Sequence, residues 1–303
     1  MDKITNEGIN VLSLFDGISC GQIALERAGI KVNKYFASEI DKHAIKVTQH
    51  NWPKTVQIGD VTKWREWDID WESIDLLCAG FPCQAWSFAG KQQGTNDPRG
   101  ALAITLFELF TFLKEKNPKL KFLFENVKMK KVYLDYLNDL FGVEPYNIDS
   151  CLVSAQKRDR MYWTNIGNIT KPLDKNIKIE DILESGVEFE FIHADIYQSG
   201  KKRGISWQYD GSGKGNNSQN YRAYFLDGKM GCLSHSVPHG AKILTKDGVR
   251  KTTRHEHERL QTLPDGYTSS IEINKAKSVI GNGWTVDVIA HIFSSLPEEL
   301  KNG

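Results

Sequence analysis

The sequence predicts an α/β protein: an open, parallel sheet with helices on both faces, joined to a smaller, loop-rich second lobe. Three observations carry this. Over the first third of the chain, apolar runs of strand length alternate with helical periods, and strands separated by helices must cross over to pair in parallel, which covers both faces of the sheet. After about residue 185 the alternation stops and Gly, Asn, Ser and basic residues dominate. Near the C-terminus a helical period returns. The 303 residues suit one large domain with a smaller lobe, and the expected division is 1–185 with 271–303 against 186–270.

Taken in order, "NVLSLF" (10–15) reads as a buried strand and "SCGQIALERAG" as a helix stopped by Gly29. "KYFAS" (34–38) is a second strand, Asp41 caps the helix "KHAIKVTQHN", and "TVQI" (55–58) and "IDLLCAG" (74–80) are the third and fourth strands. "ALAITLFELFTFLKE" places Leu102, Leu106, Leu109 and Leu113 at helical spacing before the strand "KFLFE" (121–125). Between 186 and 270, Trp207, Tyr209, Tyr221, Tyr224 and Phe225 interleave with basic residues without a sustained helical period, which predicts loops or short strands. "KSVIGNGWTVDVIAHIFSSL" reads as helical and is expected to return to the first domain.

Composition excludes several classes. With 40% hydrophobic and 25% charged residues, the chain has ordinary globular composition, and no apolar run is long enough to cross a bilayer. "MDKITNEGIN" lacks the pattern of a signal peptide, so a cytoplasmic location is expected, and five scattered cysteines argue for a reducing compartment over a disulfide framework. The net charge of +1 hides an asymmetry. Residues 199–255 hold eleven Lys and Arg against three acids, a net +8, while the rest of the chain sums to −7. Such a lobe suits a polyanionic partner, although a solvated basic surface would show the same pattern.

Ligands of open α/β sheets sit at the carboxyl ends of the strands, near the first strand-to-helix turn. Here that turn is "FDGISCG", where Gly17 and Gly21 permit a tight bend. It is not G-x-G-x-x-G, so a dinucleotide fits poorly. Glu39 ends the second strand where a ribose would be met, and Asp60 follows the third where an adenine amino group would be. Together they favour an adenosine-type cofactor without a pyrophosphate, S-adenosylmethionine. Each carboxylate alone would more often be a surface residue or a helix cap. In "AGFPCQAWSFAG" (79–90), Cys83 follows a proline at the end of an apolar run; a buried cysteine is usually packing, but this placement also presents a thiol for nucleophilic attack. Cys20, Cys78, Cys151 and Cys232 read as packing residues. Cys232, His235 and His239 have ligand-like spacing but lack a second pair, so no metal site is expected.

Six motifs in order then resemble the C5-cytosine DNA methyltransferase family of bacterial or phage type: "LSLFDGISCG", "AGFPCQAWSFAGKQQGTNDPRG", "ENV" (125–127), "QKRDR" (156–160), "RHEHERLQTLPDGYT" (254–268) and "GNGWTVDV" (281–288). Ser19 and Cys20 stand where bacterial members commonly carry paired glycines, and "FDG" looks like the form of animal de novo enzymes. The resemblance implies a Rossmann-like S-adenosylmethionine-dependent methyltransferase sheet and a target-recognition lobe at 186–270. It implies Cys83 as the nucleophile that adds to C6 of a flipped cytosine, Glu125 on the base's N3 and amino edge, and Arg158 and Arg160, at the alternating spacing of one strand face, as orienting or charge-balancing groups.

Implied cofactor contacts are Phe15, Asp16, Gly17, Ile18, Ser19, Glu39, Ile40, Asp60 and Val61, with Gly80, Pro82, Leu102, Asn282 and Trp284. Implied DNA contacts are Gln84, Ser87 and Lys91 beside the nucleophile and Lys201, Lys202, Arg203, Arg222, Arg250 and Arg254 in the second lobe. The partner is then double-stranded DNA, with a cognate restriction endonuclease acting on the same site without stable contact, and the chain is a monomer. The setting is a restriction-modification system, a phage or an orphan gene. Two rivals remain: tRNA methylation on the same fold, against which "PCQAWSFAG" looks like the DNA-modifying form, and a catalytically inactive DNA-binding protein, against which the joint presence of Cys83, Glu125 and the arginines counts.

Overall fold

The computed structural model describes residues 8–82, 101–188, 191, 199–202, 205–209, 222–234 and 241–301. The chain divides into two compact units, one of Met1–Ile148, Asp159–Lys171 and Asp287–Gly303, the other of Asp149–Arg158 and Pro172–Val286.

The first unit is built on a seven-stranded sheet. Its strands are β1 (Ile9–Leu14), β2 (Val32–Ser38), β3 (Val56–Gln57), β4 (Leu76–Ala79), β5 (Lys121–Val127), β6 (Tyr146–Asp149) and β7 (Asp159–Thr164), in the spatial order β3-β2-β1-β4-β5-β7-β6. β1 to β5 pair in parallel, as predicted, but β7 runs antiparallel to β5, so the sheet is mixed. The expected alternation holds through α1 (Cys20–Arg27), α2 (Lys42–Asn51), α3 (Ala101–Lys116) and α4 (Lys131–Phe141).

Continuous apolar runs make the central strands: all four residues of β4 are buried, as are five of the seven in β5, the pattern of strands covered on both faces. Leu106, Leu109 and Leu113 are fully buried against this sheet, and Leu102 is partly buried at the start of α3. Phe110 packs on Phe122 with ring centroids 4.6 Å apart, and Phe141 bridges Phe124 and Trp163. Asp41 caps α2 by accepting from the His43 N–H, and the Gly29 stop after α1 has φ +72°.

In the second unit, β8 (Ser199–Lys202), β9 (Ile205–Tyr209), β10 (Arg222–Phe225), β11 (Lys242–Thr245) and β12 (Gly248–Lys251) form a sheet in the order β12-β11-β10-β9-β8, with only β10 and β11 parallel. These are the short strands the sequence allowed. Two helices follow, α5 (Arg254–Leu260), opened by a Thr253/Glu256 capping box, and α6 (Ile273–Asn282).

The boundaries need correction. Residues 149–158, 172–185 and 271–286 pack with the second unit, not the first. The cause is a buried polar network: Gln156 donates to the Leu260 carbonyl and to Gln261, Ser150 donates to Thr285, and the Val286 N–H donates to the Gln261 carbonyl. The C-terminal helical period is likewise two helices, α6 and α7 (Val286–Phe293), interrupted at 283–285. α7 does return to the first unit, with Val288, Ile289, Ile292 and Phe293 fully buried and Asp287 paired to Arg27 at 2.7 Å.

Candidate active site

The turn after β1 is conformationally expensive. Phe15, Gly17 and Ser19 have φ of 54°, 60° and 57°, and a left-handed conformation costs a non-glycine residue roughly 1–2 kcal/mol. Gly17 alone pays nothing, and a Cβ placed on it would meet no atom within 4 Å, so the space over its peptide is open to a ligand. Gly21 does not belong to this bend; it lies buried inside α1.

Around the turn stand the acids predicted from the strand ends. Glu39 accepts from the Gly17 N–H at 2.8 Å through one oxygen and from the Ile40 and Asp41 N–H groups at 2.7 and 2.8 Å through the other. Ile40 beside it is 75% exposed, an apolar face fit for an aromatic base. Asp60 accepts from the Thr62 N–H and opens a 3₁₀ turn at Val61–Glu66, with Val61 buried; Ser38 bonds the Gly59 carbonyl just before it at 2.6 Å. The sequence thus placed Glu39 and Asp60 correctly at successive strand ends, and an open glycine peptide, a fixed carboxylate and an exposed aliphatic side chain form a donor and packing set that fits an adenosine-type cofactor. Asp16 was singled out only as a member of the turn, and its side chain does more: it takes hydrogen bonds from Ser19 and from the Tyr35 hydroxyl. Burial pushes its carboxyl up to about 6 despite hydroxyl donors from Ser13, Ser19 and Tyr35, with nearby Glu39 adding to the rise.

Glu125 lies two residues before the end of β5, 8% exposed, and pairs with Arg160 on the antiparallel neighbour β7: the Arg160 Nε is 2.9 Å from its carboxylate. The antiparallel pairing is what brings them together, since the register sets Glu125 opposite Tyr162 and Val127 opposite Arg160. Asn126, almost fully buried, donates through Nδ2 to the Phe81 carbonyl at 3.2 Å. Phe81 is itself held between Phe141 and Trp163, so the end of β5 fixes the segment that leads through Pro82 to Cys83. Sequence reasoning missed Asn126 as a separate device, although its place in "ENV" carried the signal. Gly80 and Pro82 are half-buried at this segment. Cys83, Gln84, Ser87 and Lys91 lie outside the described residues.

Arg158 requires correction. It does not share a strand face with Arg160, because β7 begins at Asp159. Its side chain is 5% exposed and donates to the carbonyls of Leu233, Gly281 and Gly283 at 3.1, 3.2 and 3.0 Å, with the Cys232 Sγ at 3.4 Å. A guanidinium has five N–H donors, and here they gather backbone carbonyls in the second unit. Arg158 is therefore a buried brace for the segments at 232–233 and 281–283, where Asn282 ends α6 and Trp284 follows in the break.

Two of the proposed DNA contacts are also spent internally. Arg250 is 3% exposed and forms a bidentate pair with fully buried Glu256 at 2.7 and 2.8 Å, because β12 is followed within one turn by the capping glutamate. Arg254 ties the Thr268 and Ile271 carbonyls. Arg222 is half-buried on β10, Lys201 and Lys202 lie on β8, and Arg203 is outside the described residues. Part of the basic excess is likewise interior: the Lys229 ammonium gathers the carbonyls of Cys151, Ser154 and Ile177, and burial lowers its pKa. Cys20 and Cys78 are buried, and burial drives the Cys78 thiol far up and that of Cys151 to about 11. Among the described residues no group of three His, Cys, Asp or Glu could hold a metal ion; His235 and His239 lie outside them.

The C-5 cytosine-specific DNA methylase family matches residues 9–178 and 137–298 of this sequence. The chain belongs to that family. It is similar to the Type II methyltransferase M1.ScrFI of Lactococcus lactis subsp. cremoris, 31% identical over 96% of this chain and 78% of the relative, and to the Type II methyltransferase M.HhaI of Haemophilus parahaemolyticus, 29% identical over 97% and 96%. In fold it is similar to the S. pombe Dnmt2 methyltransferase, with a TM-score of 0.71 at 16% identity over 96% of this chain and 99% of that one. The Entamoeba histolytica methyltransferase EhMeth is similar too, with a TM-score of 0.70 at 15% identity over 97% and 99%. The protein is thus a DNA cytosine-5 methyltransferase that uses S-adenosylmethionine. Among the described residues no helix is long and apolar enough to cross a membrane.

Proposed function

We propose that this methyltransferase acts on a cytosine flipped out of a specific double-stranded DNA sequence, with Cys83 as nucleophile and Glu125 and Arg160 as the pair that holds the base. The observation that carries the assignment is the 2.9 Å Arg160–Glu125 pair on strands whose next residue, Asn126, grips the Phe81 carbonyl two residues before Cys83. Cytosine C5 is a poor nucleophile. Addition of the Cys83 thiolate to C6 makes the ring an enamine whose C5 can attack. Glu125 meets the N3 and amino edge of the base and stabilises the charge that develops there, while Arg160 fixes the orientation of its carboxylate. The Phe15–Ser19 turn, Glu39, Ile40 and Asp60 would hold S-adenosylmethionine, which would supply the methyl group when bound. Loss of the C5 proton and elimination of Cys83 then release 5-methylcytosine.

Basic residues of 186–270 other than the internally bonded Lys229, Arg250 and Arg254 grip phosphate and read base edges, offsetting the few kcal/mol that extrusion of the base costs. On this reading the protein works as a cytoplasmic monomer, in a restriction-modification system beside an endonuclease that reads the same site without stable contact, or in a phage or orphan setting. Methyl transfer from labelled S-adenosylmethionine to duplex DNA tests the reading, with C83A expected to abolish it and to form no adduct on DNA carrying 5-fluorocytosine. Equal or greater transfer to tRNA, or transfer unaffected by C83A, would overturn it.

A further inference from the structure

We infer that Asp16 is a positioning residue for the cofactor: its carboxylate locks Ser19 in the left-handed conformation and so fixes the Gly17 peptide, supplying with a side chain what a second glycine would otherwise provide. The inference rests on the cofactor reading above and adds to it how the turn is held.

The backbone poses the problem. Three of five residues in the Phe15–Ser19 turn are left-handed and only one is glycine, the residue that adopts this conformation freely. Ser19 sits at the first flanking position of α1, where a serine ordinarily has extended backbone and caps the helix with its hydroxyl. Here its φ and ψ are 57° and 40° and its side chain makes no cap bond. That hydroxyl instead donates to one oxygen of Asp16. The other Asp16 oxygen accepts from Tyr35, 2.7 Å away on β2, so the carboxylate is pinned to the sheet and pins Ser19 in turn. Thr48 of α2 donates to the Ser19 hydroxyl at 3.1 Å and lies 3.4 Å from the Gly17 carbonyl.

The Gly17 peptide is therefore held at both ends, by Glu39 on its N–H and by Thr48 and the Asp16–Ser19 pair beyond it. Both Asp16 oxygens are engaged by protein hydroxyls, which argues for an action through Ser19 and not for direct contact with ligand. The carboxylate sits there against the cost of burial, as expected of a group whose removal would release the turn.

Glycine substitution separates this role from a merely structural one, because glycine needs no lock. Calorimetric titration of S-adenosylhomocysteine into the full chain should show D16A weakening binding at least tenfold in the parent but less than threefold when S19G is also present. D16N, whose amide can still accept from Tyr35 and donate to Ser19, should recover most of the loss. If D16A fails to fold by circular dichroism, Y35F replaces it, with a two- to fivefold weakening expected. Equal losses from D16A with and without S19G, or no loss from D16A or its Y35F replacement, would overturn the lock while leaving the cofactor reading intact. A parent chain that binds no S-adenosylhomocysteine at millimolar concentration would overturn both.

Discussion

Two carboxylates, a half-buried one in the first unit and a fully buried one in the second, shift in opposite directions. In the turn after β1, Asp16 has only hydroxyls for partners, and burial carries its carboxyl up to about 6. In the second unit, burial raises Glu256 as well, but the Arg250 guanidinium and the N–H groups of Glu184 and Thr253 outweigh it and draw the carboxyl below its ordinary range. The same contrast divides the two neighbouring arginines: Arg160 holds a carboxylate at the end of the first sheet, whereas Arg158 is consumed by carbonyls inside the second unit. The lesson is that a charge partnered by another charge closes a structure, while a carboxylate held by hydroxyls alone stays costly and adjustable, which suits a ligand turn.

Breaking this contrast should affect stability in the second unit and activity in the first. The largest effect is expected from E256A, which strands the Arg250 guanidinium in the interior and should cost about 3–5 kcal/mol in urea denaturation; a loss under 1 kcal/mol would show that the pair does not close the fold. R158A leaves three buried carbonyls short of a donor and should cost about 3 kcal/mol, with R158K recovering part of it. R160A, by contrast, should leave the melting temperature within a few degrees but reduce kcat by roughly ten- to a hundredfold, about 1.4–2.7 kcal/mol, without a matching change in cofactor affinity.

The Asp16 prediction concerns pH. Its carboxyl ionises near 4 when unfolded and near 6 when folded, so between those values the unfolded chain loses its proton first and stability falls as pH rises. The parent should therefore lose on the order of 2 kcal/mol relative to D16N between about pH 4 and pH 6, and a difference curve flat across that window would refute the shift. Smallest of all, D135A removes the exposed Lys131–Asp135 pair and should change stability by less than about 0.5 kcal/mol.

The positions of the candidate carboxylates were legible because they depend on strand ends. Glu39, Asp60 and Glu125 each follow an apolar run, and a carboxylate at the end of a parallel strand lands on the ligand side of the sheet whatever the packing elsewhere. Arg158, Arg250 and Arg254 were not legible. Their charge suggested solvent or phosphate, but an arginine's destination depends on which acceptors the fold leaves without donors, and those acceptors lie up to 125 positions away in the chain, as for Arg158 and the Gly283 carbonyl.

By itself the sequence determined the alternating α/β core, the break in pattern after residue 185 and the ordered motifs, because each is a matter of local period and spacing. Tertiary structure alone decided that β7 turns antiparallel to present Arg160 to Glu125, that 149–158 and 271–286 join the second unit, and that Ser19 is held left-handed by Asp16. Those outcomes rest on hydrogen bonds between distant segments, whose partners are chosen only when the chain has folded and buried polar groups must be satisfied.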